Sequence, residues 1–334
     1  MKTGVTLGKY APFHKGHEFV IATALKEMEY VIVIVYNASD VTDIPTIIRA
    51  NWIKKIFPSV EVIIAEDGPQ DTGYTQEIIE KQNRFLNKLL QGKQIDSFYS
   101  SENYGSHVSK ALNCKNRTVD AERINFAISS SKIRETKNIK LVKNFVSRCV
   151  YNELKPKYYF IGGTSTGKTT TAQTCADLLH GSYCLEYGRE YWFKFQKKHR
   201  LSMNDLENIA FGHTKIEERI CEEDCDLMFI DTNILTTYCY ALYYFNEVSK
   251  SLTQLLNESL YKYKNLFLCD EDIPFEDTFD RSGPKSRAVL QQINKTVLEQ
   301  YGLKYTLLSG TLEKRVESVK NHIKARFGYE FIQH

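Results

Sequence analysis

Residues 158–169 read YYFIGGTSTGKT, an apolar run followed by a glycine-rich loop that ends in Lys168 and Thr169. The apolar run predicts a buried β-strand, and the residues after it predict a helix. Backbone N–H groups in such a loop cradle phosphates, the lysine reaches the β- and γ-phosphates, and the threonine hydroxyl can ligate Mg²⁺. The stretch therefore predicts an ATP site formed by Gly162, Gly163, Thr164, Ser165, Thr166, Gly167, Lys168, Thr169 and Thr170.

Carboxylates downstream of this loop supply the other groups that phosphoryl transfer needs. Residues 227–231 form an apolar run that ends in Asp231, which predicts a carboxylate on the metal side of the site, although Asp231 could equally cap the next helix. Glu186 follows another predicted strand, and it is the first choice for the group that takes the acceptor's proton. Glu190 and Asp231 remain alternatives for that role.

Aromatic and basic residues complete the predicted acceptor site. Trp192 can stack on a base, with Glu186 and Glu190 near the sugar, although a charged helix start with core aromatics is also compatible with this segment. The polar stretch 270–287 predicts a loop or lid. Arg281 and Arg287 within it are candidate clamps for the γ-phosphate.

A second phosphate-binding pattern lies near the N-terminus. Residues 8–17 read GKYAPFHKGH after a strand-like run, and residues 128–134 read ISSSKIR. Two histidines at the start of a helix can point into one small space, where the free N–H groups and the helix dipole attract phosphate. Donors around a triphosphate would stabilise charge moving to a pyrophosphate leaving group. The candidate ATP-binding residues here are Lys9, His14, His17, Ser129, Lys132 and Arg134.

Strand-like runs alternate with helical patterns along the whole chain, which predicts parallel sheets covered by helices. The stretch 113–127 is expected to be a loop, and 136–156 is expected to be the junction between two domains. We therefore predict two doubly wound α/β domains, at 1–150 and 157–334.

Composition narrows the possible functions. The formal charge of +3 is too small to indicate a general nucleic-acid or membrane-surface binder. The eight cysteines lack the spacing of a zinc site, which favours reduced thiols. The N-terminus lacks the pattern of a secretory signal, and the apolar runs are too short to span a bilayer. We expect a cytoplasmic protein.

The N-terminal pattern, residues 8–17 with 128–134, resembles the HxGH and ISxTxxR motifs of the nucleotidyltransferase superfamily, in particular the nicotinamide-mononucleotide (NMN) adenylyltransferases. The similarity covers nearly all of 1–135, with Ser131 where threonine is common. It implies a Rossmann-like domain in which His14, His17 and Arg134 bind ATP phosphates. The run of residues 49–52, RANW, also matches the Arg-x-x-Trp context of the family, so Arg49 and Trp52 are implied at the NMN site. An ordinary core aromatic is the alternative for Trp52.

The order of the two halves resembles the NadR-type bifunctional enzymes of NAD salvage. The second half carries EYxREY, DTNxLTT and DIPF, which are similar to segments of their ribosylnicotinamide kinase domain. The resemblance implies that nicotinamide riboside, NMN, ATP and NAD⁺ are ligands, with Mg²⁺ as cofactor. Some members carry a further N-terminal helix-turn-helix domain. This chain starts at the first strand, so we expect no direct DNA binding. A homo-oligomer is compatible with the sequence.

Two other functions remain open at this point. A fused phosphopantetheine adenylyltransferase and dephospho-CoA kinase has the same plan, although Trp52 and residues 185–192 argue against it. A sensor that binds NAD⁺ or ATP without turnover is the other alternative. The intact His14, His17, Lys168 and Asp231 favour an enzyme over a sensor.

Overall fold

A computed structural model describes residues 1–69, 73, 75–102, 104–196, 201–276 and 284–327. The chain divides into two compact units, Met1–Leu154 and Lys155–His334. Each unit contains one five-stranded sheet, and the described strand pairs are parallel. Parallel strands need long crossover connections, which helices supply here. The predicted class, two doubly wound α/β domains, is confirmed.

The first unit has the strand order β3-β2-β1-β4-β5. Strand β2 is buried at its five central positions because Val31 to Val35 are apolar on both faces, as a strand covered by helices on both sides requires. The elements are β1 (Thr3–Gly8), α1 (Lys15–Glu27), β2 (Tyr30–Tyr36), α2 (Thr46–Ile56), β3 (Glu61–Ala65), α3 (Gln76–Leu89), β4 (Ser97–Ser100), α4 (Gly105–Ala111), β5 (Lys115–Thr118), α5 (Ser130–Glu135), α6 (Ile139–Phe145) and α7 (Arg148–Leu154).

One segment of the first unit differs from the prediction, and a second is more ordered than a simple linker. Residues 115–118 were expected within a loop, but they form strand β5 beside β4. This strand is polar and mostly exposed at the sheet edge, so its sequence lacks the apolar pattern of a strand. Residues 136–156 were expected as the junction, and the two units divide within this stretch, between Leu154 and Lys155. Most of the residues before that point form α6 and α7, which bury Ile139, Val142 and Val150.

The second unit has the strand order β10-β9-β6-β8-β7. Its central strand β6 is buried at all five positions. The elements are β6 (Lys157–Ile161), α8 (Lys168–Leu178), β7 (Ser182–Cys184), α9 (Tyr187–Phe195), α10 (Met203–Cys221), β8 (Met228–Asp231), α11 (Ile234–Phe245), α12 (Lys250–Ser259), a 3₁₀ turn (Leu260–Lys262), β9 (Leu266–Cys269), α13 (Pro284–Gln300), β10 (Tyr305–Leu308) and α14 (Leu312–Phe327).

Helix α14 was absent from the prediction. It buries Val316, Val319 and Ile323, whose spacing is that of one helical face, so the sequence did contain a usable pattern. No helix in the described part of the chain is long and apolar enough to cross a membrane.

Strand order places a crevice at the same point of each sheet. β1 lies between β2 and β4, and β6 lies between β8 and β9. In open parallel sheets, ligands bind beyond the carboxyl end of the strand at which the order reverses. Both predicted phosphate loops follow such a strand directly, because residues 9–14 follow β1 and residues 162–167 follow β6.

Candidate active sites

The two histidines of the first unit cap helix α1 together. The Nδ1 atom of His14 accepts a hydrogen bond from the Gly16 N–H at 3.1 Å, and Nδ1 of His17 accepts one from the His14 N–H at 3.3 Å. The rings stack with centroids 3.7 Å apart. Because both Nδ1 atoms are acceptors, a neutral ring carries its proton on Nε2. The cap therefore leaves each histidine with one N–H donor.

Both imidazoles are neutral near pH 7. Burial, followed by the charge of Arg123, lowers the pKa of His14 to about 4. Burial also holds the pKa of His17 well below its usual value, with His14 and Arg123 adding to the effect. Protonation of either ring would bury a positive charge near Arg123, and protonation of both would place two charges side by side. Each ring can donate to a phosphate oxygen without carrying a charge of its own.

Helix α5 brings the second motif to the histidine loop. Ser129 caps the helix by accepting from the Lys132 N–H at 3.3 Å. Ser130 Oγ donates to the Pro12 carbonyl at 3.0 Å, and the Arg134 guanidinium donates to the Ala11 carbonyl. These contacts span more than 100 residues of sequence. The structure thus joins the two motifs that were predicted to share one site.

A cavity of about 520 Å³ lies beside this loop. Five predicted or adjacent residues line it, namely Lys9, His17, Ser130, Ser131 and Arg134, together with Tyr104 just before α4 and His107 on α4. His14 and Ser129 do not line it. Lys9 is paired with Asp40, while Lys132 is exposed and does not line the cavity. Sequence reasoning missed Tyr104 as a wall residue, since an aromatic residue carries no motif of its own.

Arg49 and Trp52 are buried and do not line this cavity. Arg49 is 1 % exposed, and its guanidinium donates to the carbonyls of Lys9, Tyr36 and Ile44. Trp52 is 3 % exposed on the same helix, α2. Arg49 therefore ties the start of the phosphate loop to the end of β2. Contact of either residue with NMN stays a prediction.

The glycine loop of the second unit depends on two glycines. Gly162 has φ of 139°, and a Cβ there would lie 2.8 Å from the Cys269 carbonyl oxygen. At Gly163 a Cβ would lie 2.6 Å from the Arg287 carbonyl oxygen. Real Cβ atoms do not approach that closely, so both positions require glycine. Lys168 Nζ donates to the Gly163 carbonyl at 2.8 Å, which holds the lysine over the loop.

Asp231 meets the loop from the end of β8. Its Oδ2 accepts from Thr169 Oγ1, and Tyr183 OH lies 3.4 Å from the same oxygen. Oδ1 is buried without a hydrogen-bond partner among the described residues. Burial, followed by the charge of Glu186, raises the pKa of Asp231 to about 6, whereas Lys168 lowers it. A hydroxyl and a carboxylate with a spare oxygen suit Mg²⁺, which prefers oxygen ligands.

A cavity of about 480 Å³ extends from the glycine loop. Glu186 and Trp192 line it, whereas Glu190 does not and instead pairs with Lys194. Glu186 lies 3.6 Å from the Arg189 guanidinium, which also lines the cavity. The other walls come from α10, the turn between β8 and α11, α11 itself and the segment after β9, through His213, Thr232, Thr236, Thr237, Tyr240 and Ile273. The arrangement favours Glu186 over Glu190 at the acceptor.

The two arginines predicted for the lid have different positions. Arg281 lies outside the described residues. Arg287 is 6 % exposed on α13, and one of its terminal nitrogens donates to the Ile273 carbonyl at 2.8 Å. It does not line the cavity. In this structure Arg287 holds the segment after β9 beside the glycine loop, and a γ-phosphate clamp stays a prediction.

Sequence reasoning missed Arg315, which holds the glycine loop from α14. Its side chain is 2 % exposed and donates to the carbonyls of Thr166 at 2.6 Å and Gly310 at 3.0 Å. The same guanidinium pairs with Asp272 and donates to the Asp270 carbonyl at 3.2 Å. No local motif marks this arginine, because its partners are far away in sequence. Its forked contacts position the backbone that would cradle phosphates.

Arg315→Lys is expected to weaken ATP binding at the second unit by about 10- to 100-fold, since lysine keeps the charge but cannot make these forked contacts. The measurement is the KM for ATP in the reaction of the second unit, with thermal unfolding measured in parallel. Arg326→Lys is the matched control, because Arg326 lies on the same helix and contacts Asn265 instead. Equal KM values for the two variants would contradict the positioning role.

Comparisons with known proteins agree with this organisation. Residues 5–136 match the family described as cytidylyltransferase-like, and residues 157–315 match the family described as AAA domain. The chain is 24 % identical over 296 residues to the trifunctional NAD biosynthesis/regulator protein NadR of Escherichia coli, covering 81 % of this chain and 70 % of that protein. The Salmonella typhimurium protein of the same description is 24 % identical over 294 residues, with the same coverage.

Solved structures show the same fold. A crystal structure of NadR protein in complex with NAD and AMP-PNP superposes with a TM-score of 0.63 at 20 % identity. The match covers 98 % of this chain and 96 % of that one, and a NadR structure in complex with NR gives the same values.

The fold and the two sites define a two-domain α/β enzyme, with a nucleotidyltransferase domain followed by a P-loop kinase domain. Within that class, the chain is a homologue of the NadR proteins, and the resemblance to NadR-type enzymes is confirmed.

Proposed function

We propose that this protein makes NAD⁺ in two ATP-dependent steps. The second unit phosphorylates nicotinamide riboside to NMN, and the first unit adenylylates NMN to NAD⁺ with release of pyrophosphate. The observation that carries the proposal is the presence of two separate phosphate loops, each at the carboxyl end of a central parallel strand and each beside its own cavity. The descriptions of the relatives, NAD biosynthesis and complexes with NAD, AMP-PNP and NR, supply the substrate class.

In the proposed first-unit reaction, a phosphate oxygen of NMN attacks the α-phosphorus of ATP. The bond from that phosphorus to the bridging oxygen breaks, and pyrophosphate leaves with the bonding electrons. His17 and Arg134 line the cavity, so the Nε2–H donor of one and the guanidinium of the other can stabilise the charge that develops on pyrophosphate. Because His17 is buried and held by the helix cap, its donor is oriented before the reaction starts.

In the proposed second-unit reaction, the 5′-hydroxyl oxygen of the riboside attacks the γ-phosphorus of a second ATP, and ADP leaves. Glu186 takes the hydroxyl proton or holds the hydroxyl in line. Lys168 reaches the β- and γ-phosphates after leaving the Gly163 carbonyl. Thr169 and Asp231 would hold Mg²⁺, which when bound neutralises charge on the phosphates.

A coupled assay tests the proposal. The purified chain receives nicotinamide riboside and MgATP, and NMN and NAD⁺ are followed over time. NMN is expected first and NAD⁺ after it, whereas NMN with MgATP should give NAD⁺ directly. Dephospho-CoA and phosphopantetheine serve as competing acceptors. Turnover of those compounds in place of riboside and NMN would overturn the proposal, as would binding without any turnover.

His17→Ala is expected to lower the turnover of NMN adenylylation by about 10²- to 10³-fold, since it removes a donor to the leaving pyrophosphate. The measurement is steady-state kinetics with NMN and ATP. His107→Ala is a matched control, because His107 also lines the cavity but lies on α4, away from the cap. If His17→Ala raises KM with turnover unchanged, the residue only binds ATP and does not act on the transition state.

A further inference from the structure

His213 is a buried histidine in the wall of the second-unit cavity. It lies in the middle of α10, is 2 % exposed, and lines the cavity with Ile209, one turn earlier, and Thr236 of α11. The phosphoryl-transfer steps described above do not use it. A buried histidine in a cavity wall is a structural residue if both ring nitrogens have protein partners, and it is a candidate ligand-binding residue if one nitrogen has none. The hydrogen bonds of His213 therefore decide between these two roles.

One ring nitrogen of His213 has a partner and the other has none. Nε2 lies 3.4 Å from the backbone carbonyl oxygen of Asp231. A carbonyl oxygen only accepts, so the ring carries a proton on Nε2. The side chain is 2 % exposed, and a second proton would bury an unpaired charge there, so Nε2 carries the ring's single proton. Nδ1 is then an acceptor, and it has no hydrogen-bond partner in the described part of the chain.

The neighbouring acid does not supply that partner. Glu217 lies one turn further along α10 and accepts from Tyr159 OH at 3.0 Å, and it lies 3.7 Å from Lys262 Nζ. Glu217 is not among the residues that line the cavity. The oxygens of an ionised carboxylate only accept hydrogen bonds, so they offer no proton to an acceptor nitrogen. The hydrogen-bonding capacity of His213 Nδ1 is therefore left for a donor that the described protein residues do not provide.

The turn against His213 shows two more unusual features. Thr232 lines the cavity with φ of 66°, a conformation that is rare for a β-branched residue. Asp231 Oδ1 and Asn233 Nδ2, on either side of it, are both buried and without a hydrogen-bond partner among the described residues. Strained backbone and unpartnered buried polar atoms cluster where ligands bind. Three such polar atoms and one strained residue occur together here.

We propose that His213 is a specificity residue, whose Nδ1 accepts a hydrogen bond from a secondary hydroxyl of the acceptor's ribose. The proposal rests on the proposed kinase function. It places the ribose, and not the base, at His213 because this residue contacts Asp231 at the phosphate end of the cavity, where the 5′-hydroxyl must lie. The 2′- and 3′-hydroxyls lie within a few bonds of that group. A site built on this contact selects ribosides over deoxyribosides.

Two substitutions separate this contact from the structural bond to Asp231. In His213→Gln, the amide nitrogen can reach the position of Nε2 and keep the bond to the Asp231 carbonyl, but nothing replaces Nδ1. In His213→Asn, the shorter amide places an acceptor oxygen near the position of Nδ1 and gives up the bond to Asp231. Each variant is assayed with nicotinamide riboside, its 2′-deoxy and 3′-deoxy analogues, and nicotinic acid riboside.

For the wild type, one of the two deoxy analogues is expected to lose about 10- to 100-fold in kcat/KM, because it leaves Nδ1 without a donor. His213→Gln should lose a similar factor with the riboside and should no longer discriminate against that analogue. His213→Asn should retain the discrimination. The KM for ATP and the rate of NMN adenylylation should be unchanged in both variants, which excludes general damage to the protein.

Several results would overturn the role of His213. One is an equal loss of kcat/KM by His213→Gln with the riboside and with both deoxy analogues, and another is no loss of kcat/KM at all. A third is a loss of discrimination only against nicotinic acid riboside, which would place the base at Nδ1. If the wild type phosphorylates another ribonucleoside and not nicotinamide riboside, the proposed function is wrong. The same set of deoxy analogues of that nucleoside then decides the role of His213 independently.

Discussion

Lys168→Ala is expected to lower riboside phosphorylation by at least about 10³-fold while NMN adenylylation continues at the wild-type rate. Lys168 is the only charged side chain of the glycine loop 162–169, and its ammonium group is poised over that loop at the Gly163 carbonyl. Its removal also takes away a charge that lowers the pKa of Asp231, so that carboxyl should protonate at higher pH than its present value of about 6. The substitution is therefore expected both to weaken phosphate binding and to raise the pKa of Asp231.

The measurement is the rate of NMN formation from nicotinamide riboside, together with the rate of NAD⁺ formation from NMN in the same preparation. Lys314→Ala is the matched control, since Lys314 is an exposed lysine of the same unit. Loss of both activities in a folded Lys168→Ala variant would contradict two independent sites. Retention of riboside phosphorylation would show that this loop does not bind the transferred phosphate.

Glu186→Gln is expected to reduce riboside phosphorylation by about 10²- to 10⁴-fold with little change in riboside affinity. Glutamine keeps the size and hydrogen bonding of the side chain but cannot accept the proton of the 5′-hydroxyl. Glu186 lines the cavity, and its charge raises the pKa of Asp231, which places the two carboxylates in one electrostatic environment. The measurement is single-turnover kinetics, which separate the chemical step from riboside binding.

Glu190→Gln is the matched control for this prediction. Glu190 lies on the same helix, α9, but pairs with Lys194 and stays outside the cavity lining. A loss of turnover in Glu190→Gln that Glu186→Gln does not show would transfer the role to Glu190. An Asp231→Asn variant that abolishes the reaction, beside an active Glu186→Gln, would instead make Asp231 the proton acceptor.

Motifs that combine a strand, a loop and a helix could be predicted from the sequence, because their residues are contiguous. Both phosphate loops are of this kind, and each follows the strand that was expected. Strand β5 could not be predicted in this way, since a polar edge strand lacks the alternation that marks a half-buried one. Helix α14 could have been predicted from its apolar spacing.

The residues that escaped prediction act over long separations in sequence. Arg315 and His213 carry no motif, and their importance appears only through the carbonyl oxygens that they contact, at Thr166 and Asp231. Buried polar side chains are rare, so their burial indicates a structural or functional role, but burial is known only from the structure. Arg49 shows the converse, since the family motif implied it at the NMN site, while its hydrogen bonds in this structure go to three backbone carbonyls and to Thr46 Oγ1.

The clamp on the glycine loop has a consequence for the synthesis of the protein. Thr166 and Arg315 are 149 residues apart, so at roughly 5–20 residues per second a ribosome makes Arg315 about 7–30 s after the loop that it holds. The histidine loop has its partners on α2 and α5, all made before the second unit begins. An mRNA truncated before the codons of α14 is therefore expected to yield a polypeptide that adenylylates NMN but does not phosphorylate the riboside.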